Sequence, residues 1–307
     1  MIFHIKKLCV SIFIVTFSFA AHAANYTFTT IDYPGASNTR VTAIDGGDIV
    51  GYHWETLGSL SHGFLFNGTT WINLDYPGGV GTGTDVEDID SGNIVGDYDP
   101  PIHGLNQGLL YNGVNWISLE YPGAQQSYAS GIDGSNIVGD YEGANGMGHG
   151  FVFNGTSWST LDYPGAQESW TSGIDGTNIV GSYWDGTNEH GFLFDGVNWS
   201  NLDFPGAVET IAEGIDGGNI VGSYSDGTNE NGFLYDGVNW ITLNYPGAFD
   251  TTVDGIDGEN VVGYYTDASG SHGFIASPVP LPSGLLLFAS AVAFLGFIRR
   301  RGISLAA

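Results

Sequence analysis

From Tyr26 to Ile275 apolar and polar residues alternate in short runs, and no stretch repeats its apolar positions at the three-and-four spacing of a helix. Between Gly191 and Gly232 the runs are Gly191 to Phe194, Trp199 to Phe204, Glu209 to Ile215 and Asn219 to Tyr224. Asp195-Gly196, Pro205-Gly206, Asp216-Gly217 and Asp226-Gly227 punctuate them, supplying the positive or preset φ values that tight reversals need. The pattern predicts four short antiparallel strands in this stretch.

The same stretch recurs. Tyr33-Pro34-Gly35 returns at Tyr76, Tyr121, Tyr163, Phe204 and Tyr245, at spacings of 41 to 45 residues. Ile-Asp recurs at Asp45, Asp90, Asp133, Asp175, Asp216 and Asp257, and a Gly-Phe or Gly-Leu pair at Gly63, Gly108, Gly150, Gly191, Gly232 and Gly273. Six units of four strands, with Trp71, Trp116, Trp158, Trp199 and Trp240 in phase, predict an all-β, six-bladed β-propeller with each tryptophan between blades. The phase predicts how the ring closes. The first unit begins at Tyr26-Thr27-Phe28 without its own Gly-Phe strand, and His272-Gly273-Phe274-Ile275 supplies one from the other end. A β-solenoid with capping units fits the same period and gains nothing from this split.

The ends differ from the body. Lys6 and Lys7, an apolar run from Leu8 to Ala20 and Ala21-His22-Ala23 form a secretory signal peptide over 1–23, with cleavage expected between Ala23 and Ala24. The lone Cys9 precedes most of the apolar run, so it is not placed as a lipid-modified cysteine, and the mature chain has no disulfide. The repeat body is placed at 24–277. Over 278–307, Val279-Pro280-Leu281-Pro282 leads into an apolar run from Leu285 to Ile298 and then Arg299-Arg300-Arg301, which predicts a C-terminal transmembrane-type helix with a cytoplasmic stop. The run is short for a standard span, so an ordinary anchor or a buried helix is the alternative.

Charge narrows the partners. All 33 acidic residues lie between Asp32 and Asp267, where Arg40 is the single Lys or Arg. Nucleic acid and anionic membrane surfaces are therefore poor partners, and cations or cationic ligands are favoured. Calcium is the candidate ion.

Two resemblances follow from these residues. His62-Gly63-Phe64, His149-Gly150-Phe151, His190-Gly191-Phe192 and His272-Gly273-Phe274, with the run Gly131 to Gly139, resemble the extracellular HAF-type repeat family across nearly the whole body. That resemblance implies fold and location but no reaction and no catalytic residue. Pro278 to Arg301 resembles the PEP-C-terminal sorting signals recognised by exosortases, in a Val-Pro-Leu-Pro variant where Leu281 replaces the commoner glutamate. It implies an exosortase-type processing enzyme as partner, a transient stay in the inner membrane, and an exopolysaccharide-making Gram-negative host.

Several residue sets could carry chemistry, each with a plain alternative. The Asp45 to Asp257 ring reads first as turn-capping carboxylates and second as an acidic channel mouth. Asp185, Asn188 and Glu189, repeated as Asp226, Asn229 and Glu230, are calcium candidates or solvated hairpin tips. The histidines before Gly-Phe suit an internal bond to a carboxylate better than zinc. Residues unique to one unit are Arg40, His53-Trp54-Glu55, Asp85, Glu87, Asp88, His103 and Trp170, with no recognised catalytic signature. Glu87 and Asp88 would supply an acid and a base, but neighbouring strand residues face opposite ways. Tyr52, Trp54, Tyr98, Tyr141, Tyr183, Trp184 and Tyr224 would stack on sugars or fill the core. The expectation is an exported, noncatalytic repeat protein of the cell envelope or extracellular matrix, binding polysaccharide, surface protein or calcium. A secreted glycan hydrolase or lyase is the alternative.

Overall fold

The computed structural model describes residues 26–279, apart from 57, 58, 79, 80 and 101–104. Its first strand, β1 (Tyr26–Ile31), stands apart from the blade that follows it. Blade 1 is β2 (Asn38–Asp45), β3 (Asp48–Trp54), β4 (His62–Phe66) and β5 (Trp71–Asn73). Blade 2 is β6 (Thr84–Asp90), β7 (Asn93–Tyr98), β8 (Gln107–Tyr111) and β9 (Trp116–Leu119). Blade 3 is β10 (Gln126–Asp133), β11 (Asn136–Glu142), β12 (Gly148–Phe153) and β13 (Trp158–Thr160). Blade 4 is β14 (Glu168–Asp175), β15 (Asn178–Trp184), β16 (Glu189–Phe194) and β17 (Trp199–Asn201). Blade 5 is β18 (Glu209–Asp216), β19 (Asn219–Ser225), β20 (Glu230–Tyr235) and β21 (Trp240–Thr242). Blade 6 is β22 (Asp250–Asp257), β23 (Asn260–Asp267) and β24 (Gly270–Pro278), and β1 completes it on the outside.

The antiparallel pairing of β1 with β24 runs from Tyr26 opposite Pro278 to Ile31 opposite Gly273. It gives the last blade its fourth strand from the start of the chain, as the phase of the repeat required. Phe28 stands five residues before Tyr33 as Trp71 stands five before Tyr76. It takes the tryptophan position of blade 6, edge-on to Tyr245 at 5.5 Å and tilted on Phe274 at 5.4 Å.

The core lies between blades. Val138 of blade 3, for example, packs with Ile174, Ile179 and Phe192 of blade 4, with Tyr163 and Trp199 against them. Phe64, Phe151, Phe192, Phe233 and Phe274 are fully buried, and Leu109 fills their place in blade 2. Each linker tyrosine or Phe204 lies flat on an aromatic ring of the following blade. Tyr121 on Tyr141, Tyr163 on Tyr183 and Phe204 on Tyr224 have centroids 3.7 to 3.8 Å apart. In blade 1 the ring beneath Tyr33 is His53, at 3.7 Å. Of the two readings of these aromatics, the stacks support the core-filling one for Tyr98, Tyr141, Tyr183 and Tyr224, which each spend one face on an internal partner.

Ala23, Ala24, His103 and the segment from Pro280 through Arg301 lie outside the described residues, as does the expected C-terminal helix. Among the described residues no helix is long and apolar enough to cross a membrane.

Candidate functional site

Every innermost strand carries one extra residue. The register slips between Val41 and Ala43, Val86 and Asp88, Ala129 and Gly131, Thr171 and Gly173, Ala212 and Gly214, and Val253 and Gly255. Each bulge needs glycine on the neighbouring strand. A Cβ at Gly51, Gly96, Gly139, Gly181, Gly222 or Gly263 would meet a backbone carbonyl oxygen of the bulged strand at 2.0 to 2.1 Å. The six extra residues, Thr42, Glu87, Ser130, Ser172, Glu213 and Asp254, form a collar around a cavity of about 120 Å³ on the central axis.

One end of the channel keeps its symmetry. Asp45, Asp90, Asp133, Asp175, Asp216 and Asp257 ring a cavity of about 150 Å³. Each accepts a hydrogen bond from the first turn N–H of the next blade: Ser91 to Asp45, Gly134 to Asp90, Gly176 to Asp133, Gly217 to Asp175, Gly258 to Asp216 and Gly46 to Asp257, at 2.7 to 2.9 Å. The two readings of this ring coincide, because the carboxylates cap turns and line a mouth. The turns they cap belong to the neighbouring blade.

The opposite end breaks the symmetry. Two positions before each bulge the inner strands carry Arg40, Asp85, Tyr128, Trp170, Ile211 and Thr252. Facing these across the ladder stand Tyr52, Asp97, Asp140, Ser182, Ser223 and Tyr264. Here Glu87, Asp97, Tyr128, Ser130, Asp140 and Trp170 line a cavity of about 380 Å³. Trp170 has room to lie there because residue 148 is glycine, where a Cβ would strike the indole nitrogen at 2.7 Å.

The acids of this mouth all move the same way. Burial, with Asp97 and Asp85 adding repulsion, pushes Glu87 well above the usual carboxylate range. Burial and Asp85 do the same to Asp97, against one hydrogen bond from Asn106 at 2.6 Å. Burial alone brings Asp140 up to about 7. In the collar, burial raises Glu213 to about 7, while burial and then Glu213 raise Asp254, whose Oδ2 has no hydrogen-bond partner. Arg40 serves the other side of the mouth: its guanidinium lies 4.3 Å over the Tyr264 ring and 5.6 Å from that of Trp54, and it bonds the Tyr52 hydroxyl at 3.4 Å. Burial opposes its charge, but Tyr52, Tyr264 and Asp254 outweigh that and raise its pKa.

No family model matches the chain, and no curated protein matches it. Solved structures do. The SapL1 lectin, solved with alpha methyl fucoside, superposes with a TM-score of 0.52 at 15% identity, over 80% of this chain and 97% of that one. The β-propeller domain of the Trilobed protease from Pyrococcus furiosus does so at 0.50 and 10% identity, over 78% and 93%. The acylaminoacyl peptidase of Pyrococcus horikoshii matches at 0.50 and 12% identity, over 83% of this chain and 46% of its own. The likeness establishes the propeller fold. The site rests on this propeller's own residues.

Of the residues unique to one unit, the structure brings Arg40, Asp85, Glu87 and Trp170 to one mouth. Glu87 and Asp88 do not face opposite ways, because the bulge at Glu87 shifts the alternation and both border the channel. Asp88 accepts from the N–H groups of Ile89 and of Ile132 in the next blade, each at 2.8 Å, and burial raises it to about 7. Glu55 is exposed. Tyr52 is buried, edge-on to Trp54 at 5.2 Å.

The calcium candidates divide their roles. Asp185 accepts from the N–H groups of Thr187 and Asn188, and Asp226 from those of Thr228 and Asn229, as turn caps. Glu189 and Glu230 instead accept from Ser182 and Ser223 at 2.6 Å. Among the described residues no group of three or more His, Cys, Asp or Glu is placed to hold a metal ion. The repeated histidines bond carboxylates: His62 to Asp75, His149 to Asp162, His190 to Asp203 and His272 to Asp32, at 2.9 to 3.1 Å. Sequence reasoning missed Asp97, Tyr128, Asp140, Glu213 and Asp254. They lie in three columns of the six-unit repeat whose identity changes from unit to unit: the position two before each bulge, its partner across the ladder, and the bulge residue itself.

Proposed function

We propose that this propeller is an exported, noncatalytic polysaccharide-binding protein of the cell envelope or extracellular matrix, whose sugar site is the asymmetric channel mouth. The carrying observation is the pairing of Trp170 and Tyr128 with Glu87, Asp97 and Asp140 around one cavity. Aromatic faces suit the apolar C–H faces of a sugar ring, and carboxylates accept its hydroxyl hydrogens. The lectin among its structural neighbours is compatible with that ligand class. Export, a tail processed by an exosortase-type enzyme and release to the cell surface complete the reading, supported by residues 1–23 and the run Val279 to Arg301.

A glycan hydrolase or lyase is the second reading, because acids from neighbouring units do gather at this mouth. Two-carboxylate glycoside chemistry needs one group kept protonated and another kept ionised. Here Asp85, Glu87, Asp97 and Asp140 are all raised, chiefly by burial. The Trp170 and Tyr128 faces beside those acids are what put binding first.

The test is calorimetric titration of the full-length chain with a panel of neutral, amino and uronic oligosaccharides, repeated with Trp170→Ala. Loss of one stacking face is expected to weaken binding about tenfold, on the order of 1.4 kcal/mol. Equal affinity of wild type and variant would remove the mouth as the sugar site, and release of shorter glycans on incubation would establish the hydrolase reading.

A further inference from the structure

Among the described residues, the half-buried side chains of Glu87 and Asp140 border the 380 Å³ cavity and take no hydrogen bond from the protein. Asp97 beside them has one bond, from Asn106. Half-buried carboxylates at an open mouth that no protein donor reaches are free to take donors from a ligand seated there. Arg40 does not, being engaged with Tyr52 and Tyr264 across the mouth.

A metal ion would need several carboxylates converging on one point, and no such group of three exists among the described residues. A neutral sugar would offer hydroxyl donors but leave the charge uncompensated. An ammonium group carried on a sugar ring satisfies both demands: three N–H donors and one positive charge, held beside ring faces that attract cations and stack on the pyranose. We infer that the cavity selects polysaccharides bearing protonated amino sugars, the de-N-acetylated form of a hexosamine polymer, over neutral or uronic chains. This rests on the sugar-binding reading above and names the ligand class. The surrounding field agrees, since 33 carboxylates against Arg40 draw a polycation in and turn polyuronates away. The raised proton affinity of Asp140 points the same way, because a cation at that spot replaces the proton.

The test titrates the full-length chain at physiological salt with a β-1,4-linked glucosamine oligomer, its fully N-acetylated counterpart and a galacturonate oligomer of equal length. The amino form is expected to bind at least about tenfold more tightly than the acetylated form, with no uptake of galacturonate. Asp140→Asn should remove most of that preference, while Glu259→Gln, an exposed acid outside the cavity, should leave it intact. Equal affinity for amino and acetylated oligomers would overturn the charge selection and leave sugar binding standing. Equal losses in Asp140→Asn and Glu259→Gln would overturn it too, tracing the preference to the overall field. Binding of none of the three would sink the sugar-binding reading itself.

Discussion

Asp140 shows what a single half-buried carboxyl costs when no protein donor reaches it. Its pKa lies near 7 in the folded chain against an ordinary 3.8, so between those values the folded state keeps a proton that the unfolded state has lost. Stability present at low pH therefore drains away as the pH rises from about 4 to about 7. Asp140→Asn is expected to be nearly neutral at about pH 4 and stabilising by roughly 2 to 4 kcal/mol at about pH 8. Urea unfolding at the two pH values checks this, and an equal effect at both would refute it. Single residues were the least legible level of the sequence. Trp170 stood out as unique to its unit, but Tyr128 and Asp140 looked like ordinary strand residues until neighbouring blades brought them to one cavity.

Elements were more legible, with one exception. Asp-Gly turns and Gly-Phe strands could be read directly, because two-residue reversals need positive φ and Gly217, for one, has φ 56°. The bulges were invisible: a run such as Ala129-Ser130-Gly131 reads as plain alternation, and only the ladder shows that Ser130 has no partner. That hidden residue reversed the expected facing of Glu87 and Asp88. The bulge depends on contact with the adjacent strand, so Gly222→Ala, remote from Trp170, is expected to cost more than about 3 kcal/mol, since its Cβ would lie 2.0 Å from the Ile211 carbonyl oxygen. Thermal melts would check it, and an unchanged midpoint would show that the strands can separate without loss.

For the whole molecule, two populations of carboxylates act in opposite directions. Asp185, Asp195, Asp226, Asp236 and Asp267 cap exposed turns and have lowered pKa values through the bonds they accept, so their contribution is lost as pH falls below about 3.8. The half-buried Asp88, Asp140 and Glu213 lose theirs as pH climbs toward about 7. The melting temperature should therefore peak between about pH 4 and pH 6 and fall toward pH 8. A scan that peaks above pH 7 would contradict this balance. Ring closure was legible at this scale because the missing Gly-Phe strand at one end matched a spare one at the other.

The pairing of Tyr26 with Pro278 also sets a direction in space. β24 runs away from the Trp170 mouth and ends beside Asn260, where Ser277 Oγ donates to the Asn260 side chain at 2.6 Å. Both ends of the described chain thus leave from the rim of the aspartate-ring face. A tether at either end would turn that face toward its anchor and hold the Trp170 mouth outward, so that a surface-bound molecule would meet passing polymer with its receptive side first.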